Sequence, residues 1–123
     1  MENAKKIIQS HRDLLVWQKG MDLVVAIYRI TQKLPSYEQF GLISQLRRAA
    51  VSIPSNIAEG YGRQSSGSYR QFLSVSRGSL LELETQIELC VRLGYLTQSD
   101  TASILADITE LSKMLTSLIG KIK

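Results

Sequence analysis

Four apolar stripes, each stepping by three and four residues, constrain this chain more than anything else in it. Leu14, Trp17, Met21, Val24 and Tyr28 trace the first, and Leu23, Ile27, Ile30 and Leu34 widen it. Ile43, Leu46, Ala50, Ile53 and Ile57 trace the second, and Ser76, Leu80, Leu83, Ile87 and Cys90 the third. Ile104, Ile108, Leu111, Leu115, Leu118 and Ile122 complete the set. This spacing keeps apolar side chains on one side of a helix. No stretch of useful length alternates with the two-residue period of a strand. Short connections make successive helices antiparallel neighbours. The expected fold is therefore all-α, an up-down-up-down antiparallel four-helix bundle.

Boundary signals divide the chain accordingly. Asp13 is a good N-cap, and the first helix is expected to run from there to Leu34, just before Pro35. Ser36 with Gln39 three residues on reads as a capping box for the second helix. The stretch "GYGRQSSGS" breaks the chain, and a third helix runs from Ser68 to Leu93, with Gly94 as its C-terminal cap. Thr97 and Asp100 form another capping-box pattern before the last helix. Residues 1–12 are expected to be a flexible segment ahead of a single domain spanning 13–123.

Pro54 falls in the middle of the second stripe. Inside a helix its ring clashes with the Ala50 carbonyl and removes a hydrogen bond, costing about 3 kcal/mol. Yet Ile53 and Ile57 stay in phase with Ile43, Leu46 and Ala50, and two separate helices have no reason to share a phase. The expectation is a kinked but continuous helix. At about 100° per residue, Arg48, Ser52, Asn56 and Glu59 gather on a second face, away from the apolar stripe. This face is small and hydrogen-bonding, and it reads in two ways. Ser52 and Asn56 satisfy backbone groups freed by the proline, or Ser52, Asn56 and Glu59 form an oligomer interface.

The charge is unevenly placed. Between residues 39 and 81 stand Arg47, Arg48, Arg63, Arg70 and Arg77 against the lone acid Glu59. The rest of the chain is neutral, so this region carries the whole net charge of +4. Every base in it is arginine, whose planar fork suits phosphate, and these five are the candidate nucleic-acid contacts. The alternative is a solvated face with internal ion pairs. Tyr61 and Tyr69 stand near them as candidates for base stacking or for packing.

Other chemistries find little support. Cys90 is the single cysteine and sits at an apolar helical position, which marks it as a core residue. His11, the single histidine, precedes the first stripe and reads as a solvated end residue. One thiol and one imidazole do not make a zinc site, and no Glu-x-x-His pair offers a di-iron site. Glu84 and Glu88 lie one turn apart and read as a solvated or ion-paired face. Ser65, Ser66 and Ser68 lack a histidine partner, and "GYGR" lacks the lysine and strand of a phosphate loop. No catalytic residue, metal or cofactor is expected. With no membrane-length apolar run and no signal-peptide pattern, the expectation is a cytoplasmic protein with no membrane partner.

Three stretches resemble a known family: "DLLVWQKGMDLVVAIYRIT", "QLRRAAVSIPSNIAEGYGR" and "GSLLELETQIELCVRLGYL". The element Ser52, Ile53, Asn56, Ile57, Ala58, Glu59, Gly60, Gly62 and Arg63, with its spacing to Gly78, Ser79, Glu82 and Glu84, is similar to the signature of the four-helix-bundle proteins encoded in 23S rRNA intervening sequences. That family is in turn similar to the accessory variability protein of diversity-generating retroelements, a basic pentameric barrel that binds nucleic acid and a reverse transcriptase. The resemblance implies a homopentamer with RNA as ligand class. Two functional readings stay open. One is a nucleic-acid-binding oligomer; the other is a protein-interaction scaffold in which Arg47 and Arg48 pair with Glu82, Glu84 or Glu88 of a neighbouring helix or subunit.

Overall fold

The computed structural model describes residues 7–123 and contains four long helices: α1 (Leu15–Thr31), α2 (Leu42–Tyr61), α3 (Ser66–Arg92) and α4 (Gln98–Lys121). Pairings across the helices give the topology. Arg47 on α2 bonds Thr31 at the end of α1. Gln45 and Ser52 on α2 meet Gln86 and Ser79 on α3, and Arg77 on α3 meets Thr116 on α4. Lys19 of α1 and Lys33, two residues past its end, reach Glu110 and Asp100 of α4. Each pairing runs antiparallel, as an up-down-up-down bundle requires.

The interior is built from the expected stripes on three helices. Leu46, Ile53 and Ile57 of α2, Leu73, Leu80, Leu83 and Ile87 of α3, and Leu111 and Leu115 of α4 are fully buried. Each such side chain contributes roughly 1.5–3 kcal/mol relative to exposure. Cys90 is buried among them, as expected, and its thiol is pushed up to about 11 by burial and then by the Glu38 charge.

Helix α1 departs from the expectation. Its core contribution comes from Val16, Leu23, Ile27 and Ile30. The heptad-like run that looked like the stripe lies on a flank instead: Leu14, Trp17 and Val24 are half-buried, and Met21 and Tyr28 are exposed. The helix is apolar on two sides, and the bundle interior can take only one.

Several ends also differ from the expectation. Asp13 does not cap α1; it completes a capping box with Ser10 in the short 3₁₀ turn His11–Asp13, and Leu14 occupies the N-cap position. Of the segment 1–12, residues 1–6 lie outside the described residues. Ser36 and Gln39 form no capping box. Ser36–Glu38 is a 3₁₀ turn, and Glu38 caps α2 instead, its Oε1 accepting from the Leu42 N–H at 3.1 Å. The Tyr95 hydroxyl donates to the other oxygen of Glu38 at 2.9 Å and fixes that carboxylate in place. The Thr97–Asp100 box forms as expected, with bonds of 2.9 and 3.0 Å. Gly94, at φ 83°, follows the end of α3 as its cap.

Helix α2 runs unbroken through Pro54. The missing amide leaves the Ala50 carbonyl short of a donor, and hydroxyls gather on either side of it. Ser52 Oγ lies 3.0 Å from the Ala49 carbonyl, and Ser76 of α3 donates to the Ile53 carbonyl at 2.9 Å. The proline is buried against α1 at Gly20, where an added Cβ would stand 3.4 Å from the Pro54 Cβ.

Candidate nucleic-acid interface

The two flanks of α2 are built differently, and the candidate residues distribute between them. Against α3 the flank is closed. Ser52 and Ser79 share a short hydrogen bond across it. Asn56 Nδ2 donates to the Ser52 carbonyl at 2.7 Å, bonding its own helix. Near the end of the seam Gly60 lies so close to α3 that a Cβ there would come within 2.7 Å of the Phe72 Cβ. Ser52 and Asn56 thus bond backbone carbonyls of their own helix, at Ala49 and Ser52, and not the Ala50 carbonyl that Pro54 leaves short. Glu59 is exposed and paired with Arg63 at 2.7 Å. Near the other end Gln86 is only 5% exposed; its amide nitrogen meets Glu82 and Gln45, while its Oε1 has no donor.

Toward α1 the flank is open. Trp17, Met21, Val24, Val51, Pro54 and Ala58 line a groove of about 390 Å³ with almost no polar lining. Above it, toward the α1–α2 connection, a second cavity of about 310 Å³ is lined by Tyr28, Phe40, Arg47 and Arg48 together with Gln39, Ile43 and Ser44. Phe40 is 95% exposed, more than any other large apolar side chain described. Sequence reasoning missed it. In "YEQFGL" it looks like the first apolar residue of a helix, and only the Glu38-capped turn places it outside.

The five arginines do not form one face; they occupy three places. Arg47 and Arg48 stand at the upper cavity. Arg47 Nε donates to Thr31 Oγ1 at 2.9 Å, and its guanidinium lies 4.5 Å over the Tyr28 ring. Arg48 is exposed. Arg63, at the α2–α3 turn, is held by Glu59 and lies over the Phe72 ring. Arg70 and Arg77 turn to α4, donating to the Ile122 carbonyl and Thr116 Oγ1, each at 3.2 Å. The dispersion has a simple cause. Residues 47–48 and 70–77 lie on antiparallel helices and at different angular phases, so closeness in sequence does not become closeness in space.

Charge compensation separates these arginines. Of the five, Arg63 alone has a carboxylate partner among the described residues. Arg47, Arg70 and Arg77 are held by neutral oxygens, and Arg48 has no such contact, so four guanidiniums keep their full charge. Arg47 and Arg70 reach the carboxyl ends of α1 and α4, where a cation is favoured by the helix dipole.

The remaining candidates sort by packing. Tyr61 and Tyr69 meet edge to face at 6.1 Å, and burial first, then the Tyr61 charge, raises the Tyr69 hydroxyl pKa. His11 packs edge-on against Trp17 at 5.1 Å. Glu84 is half-buried in the α3–α4 groove with Lys113, and Glu88 is exposed. No group of three or more histidine, cysteine or acidic side chains is placed to hold a metal among the described residues. No helix among them is long and apolar enough to cross a membrane.

Fold and surface together define a small four-helix-bundle protein with one open, arginine-bearing flank. The chain belongs to the 23S rRNA-intervening sequence protein family, whose model matches residues 12–117. It is similar to a solved structure, the crystal structure of a protein with unknown function from the S23 ribosomal protein family of Bacteroides thetaiotaomicron VPI-5482. The two share 30% sequence identity and a TM-score of 0.79, covering 85% of this chain and 98% of that one. Among curated proteins no match is found.

Proposed function

We propose that this chain is a non-enzymatic, self-associating bundle of the cytoplasm that binds structured RNA or another nucleic acid through its arginines. The observation that carries the reading is the set of four guanidiniums, on Arg47, Arg48, Arg70 and Arg77, with no carboxylate partner among the described residues. Positive charge held by neutral oxygens stays available to phosphate, and guanidinium forks match phosphate geometry. The likeness to the nucleic-acid-binding accessory variability protein, noted from the sequence, implies the same ligand class.

Self-association is the second half of the reading. The apolar groove between α1 and α2 is the kind of surface that soluble proteins cover. Ser52, Asn56 and Glu59 lie toward α3, outside that groove, and would add a second contact between copies. The family resemblance supports five copies. If the arginines instead meet Glu82, Glu84 or Glu88 of a neighbour, the chain is a scaffold without a nucleic-acid ligand.

A salt titration of binding to a structured RNA, in parallel with an Arg48→Glu/Arg77→Glu variant, separates the two. The parent is expected to bind at low salt and to weaken steeply as salt rises, since each phosphate contact releases condensed counterion. No binding by the parent at low salt would contradict the reading. Light scattering is expected to give five times the 13.8 kDa protomer mass, and a monomer at micromolar concentration would contradict the self-association.

A further inference from the structure

The upper cavity of the open flank combines aromatic faces with guanidiniums that have no carboxylate partner among the described residues. Phe40 projects almost wholly into solvent, at 95% exposure. Tyr28, 42% exposed, lines the same cavity and carries the Arg47 guanidinium 4.5 Å above its ring. Arg48 stands at the edge with its charge unpaired. Together they enclose about 310 Å³, at the lower end of the range for small-ligand sites.

We infer that this cavity binds an unpaired base and its flanking phosphate, so that the protein prefers single-stranded or looped RNA over continuous duplex. The inference rests on the nucleic-acid reading above and specifies where and in what form the ligand is held. An aromatic side chain offers a stacking surface to every base, and a duplex hides the base faces that would use it. Phe40 supplies such a face at no cost in refolding, because it is already in solvent. The Tyr28–Arg47 stack supplies a second, fixed by the bond from Arg47 to Thr31. Arg48 is left to meet the phosphate. A second protein copy fits this cavity less well than it fits the lower groove. An apolar partner seated here would bury two guanidiniums without counter-charge, at a desolvation cost that phosphate avoids.

The test uses the full chain and a fluorescent RNA hairpin with a loop of unpaired nucleotides, compared with a blunt duplex of equal charge. Binding is measured at two salt concentrations, for the parent and for Phe40→Ala, Phe40→Trp and Arg48→Gln. The hairpin is expected to bind about tenfold more tightly than the duplex, Phe40→Ala to erase that difference, and Phe40→Trp to keep it. Arg48→Gln is expected to lower the salt slope by about 0.7, the value for one single-strand phosphate, whereas Phe40→Ala leaves the slope unchanged. If the parent binds both RNAs equally and Phe40→Ala changes nothing, the inference is overturned while the broader reading stands. If the parent binds neither RNA, both fall together. If Phe40→Ala changes the mass of the assembly and leaves RNA binding intact, Phe40 is a subunit contact and the inference is overturned.

Discussion

Helix α2 has one flank that is finished and one that is not. Against α3 its small residues allow close approach, and its hydroxyls and amide find partners inside the chain. Against α1 the same helix opens onto an apolar groove below and an aromatic, arginine-edged cavity above. The contrast assigns roles. A flank whose polar groups are satisfied internally contributes stability, and a flank with exposed apolar surface and unpaired charge is available for partners. Substitutions on the closed flank should therefore move stability and leave binding alone, and substitutions on the open flank should do the reverse.

The largest effect is expected at the open flank. Val51 lies in the lower groove and is exposed in the protomer, so Val51→Glu should reduce the assembly to the 13.8 kDa protomer while circular dichroism and melting stay close to the parent. Light scattering checks it, and an intact assembly would detach the groove from self-association.

The closed flank should respond in stability. Gly60→Ala drives a methyl group against Phe72 and is expected to cost about 1–3 kcal/mol, as overpacking does. Denaturant unfolding measures it. Ser76→Ala removes the donor to the buried Ile53 carbonyl beside Pro54 and should cost about 1 kcal/mol. Replacing Gln86 by Met removes a buried acceptor that has no donor. That change should be neutral or stabilising, by up to about 1 kcal/mol.

The smallest effect lies outside both flanks and tests the electrostatics of the bundle's upper end. The Lys33 ammonium, followed by the Thr97 backbone N–H, lowers Asp100 to about 2 from an ordinary 3.8. A carboxylate lowered by folding contributes stability above its unfolded value, and that contribution is lost as pH falls from 3.8 toward 2. Asp100→Asn should therefore lose stability at neutral pH and show a flatter stability curve in that acid window. Melting temperatures measured across the window check it.

How much of this was legible from residues alone depends on whether a segment carried one signal or two. Helices α2 and α4 each have a single apolar stripe, and the residues read as core are buried except Leu118 and Ile122 at the end of α4, which are half-buried. Pro54 was readable because Ile53 and Ile57 kept phase across it. Helix α1 carries two apolar faces, and periodicity measures spacing without saying which face turns inward. Its more regular run, from Leu14 to Tyr28, lies along the flank that stays open. Ser36 does not cap α2, because Glu38 competes for the same helix end and is held by Tyr95, distant in sequence. The arginines were found, but their dispersal over three places was not readable, since it depends on how two antiparallel helices are rotated about their axes. Phe40 carried no sequence signal.

The most direct test of the two-flank account is amide hydrogen exchange of the full chain with and without a looped RNA hairpin at low salt. The account predicts added protection in the segment 36–48, around Phe40 and Arg48, and none across 72–86, where α3 closes on α2. Protection confined to 72–86 would contradict it, and so would an exchange pattern that the RNA leaves unchanged throughout.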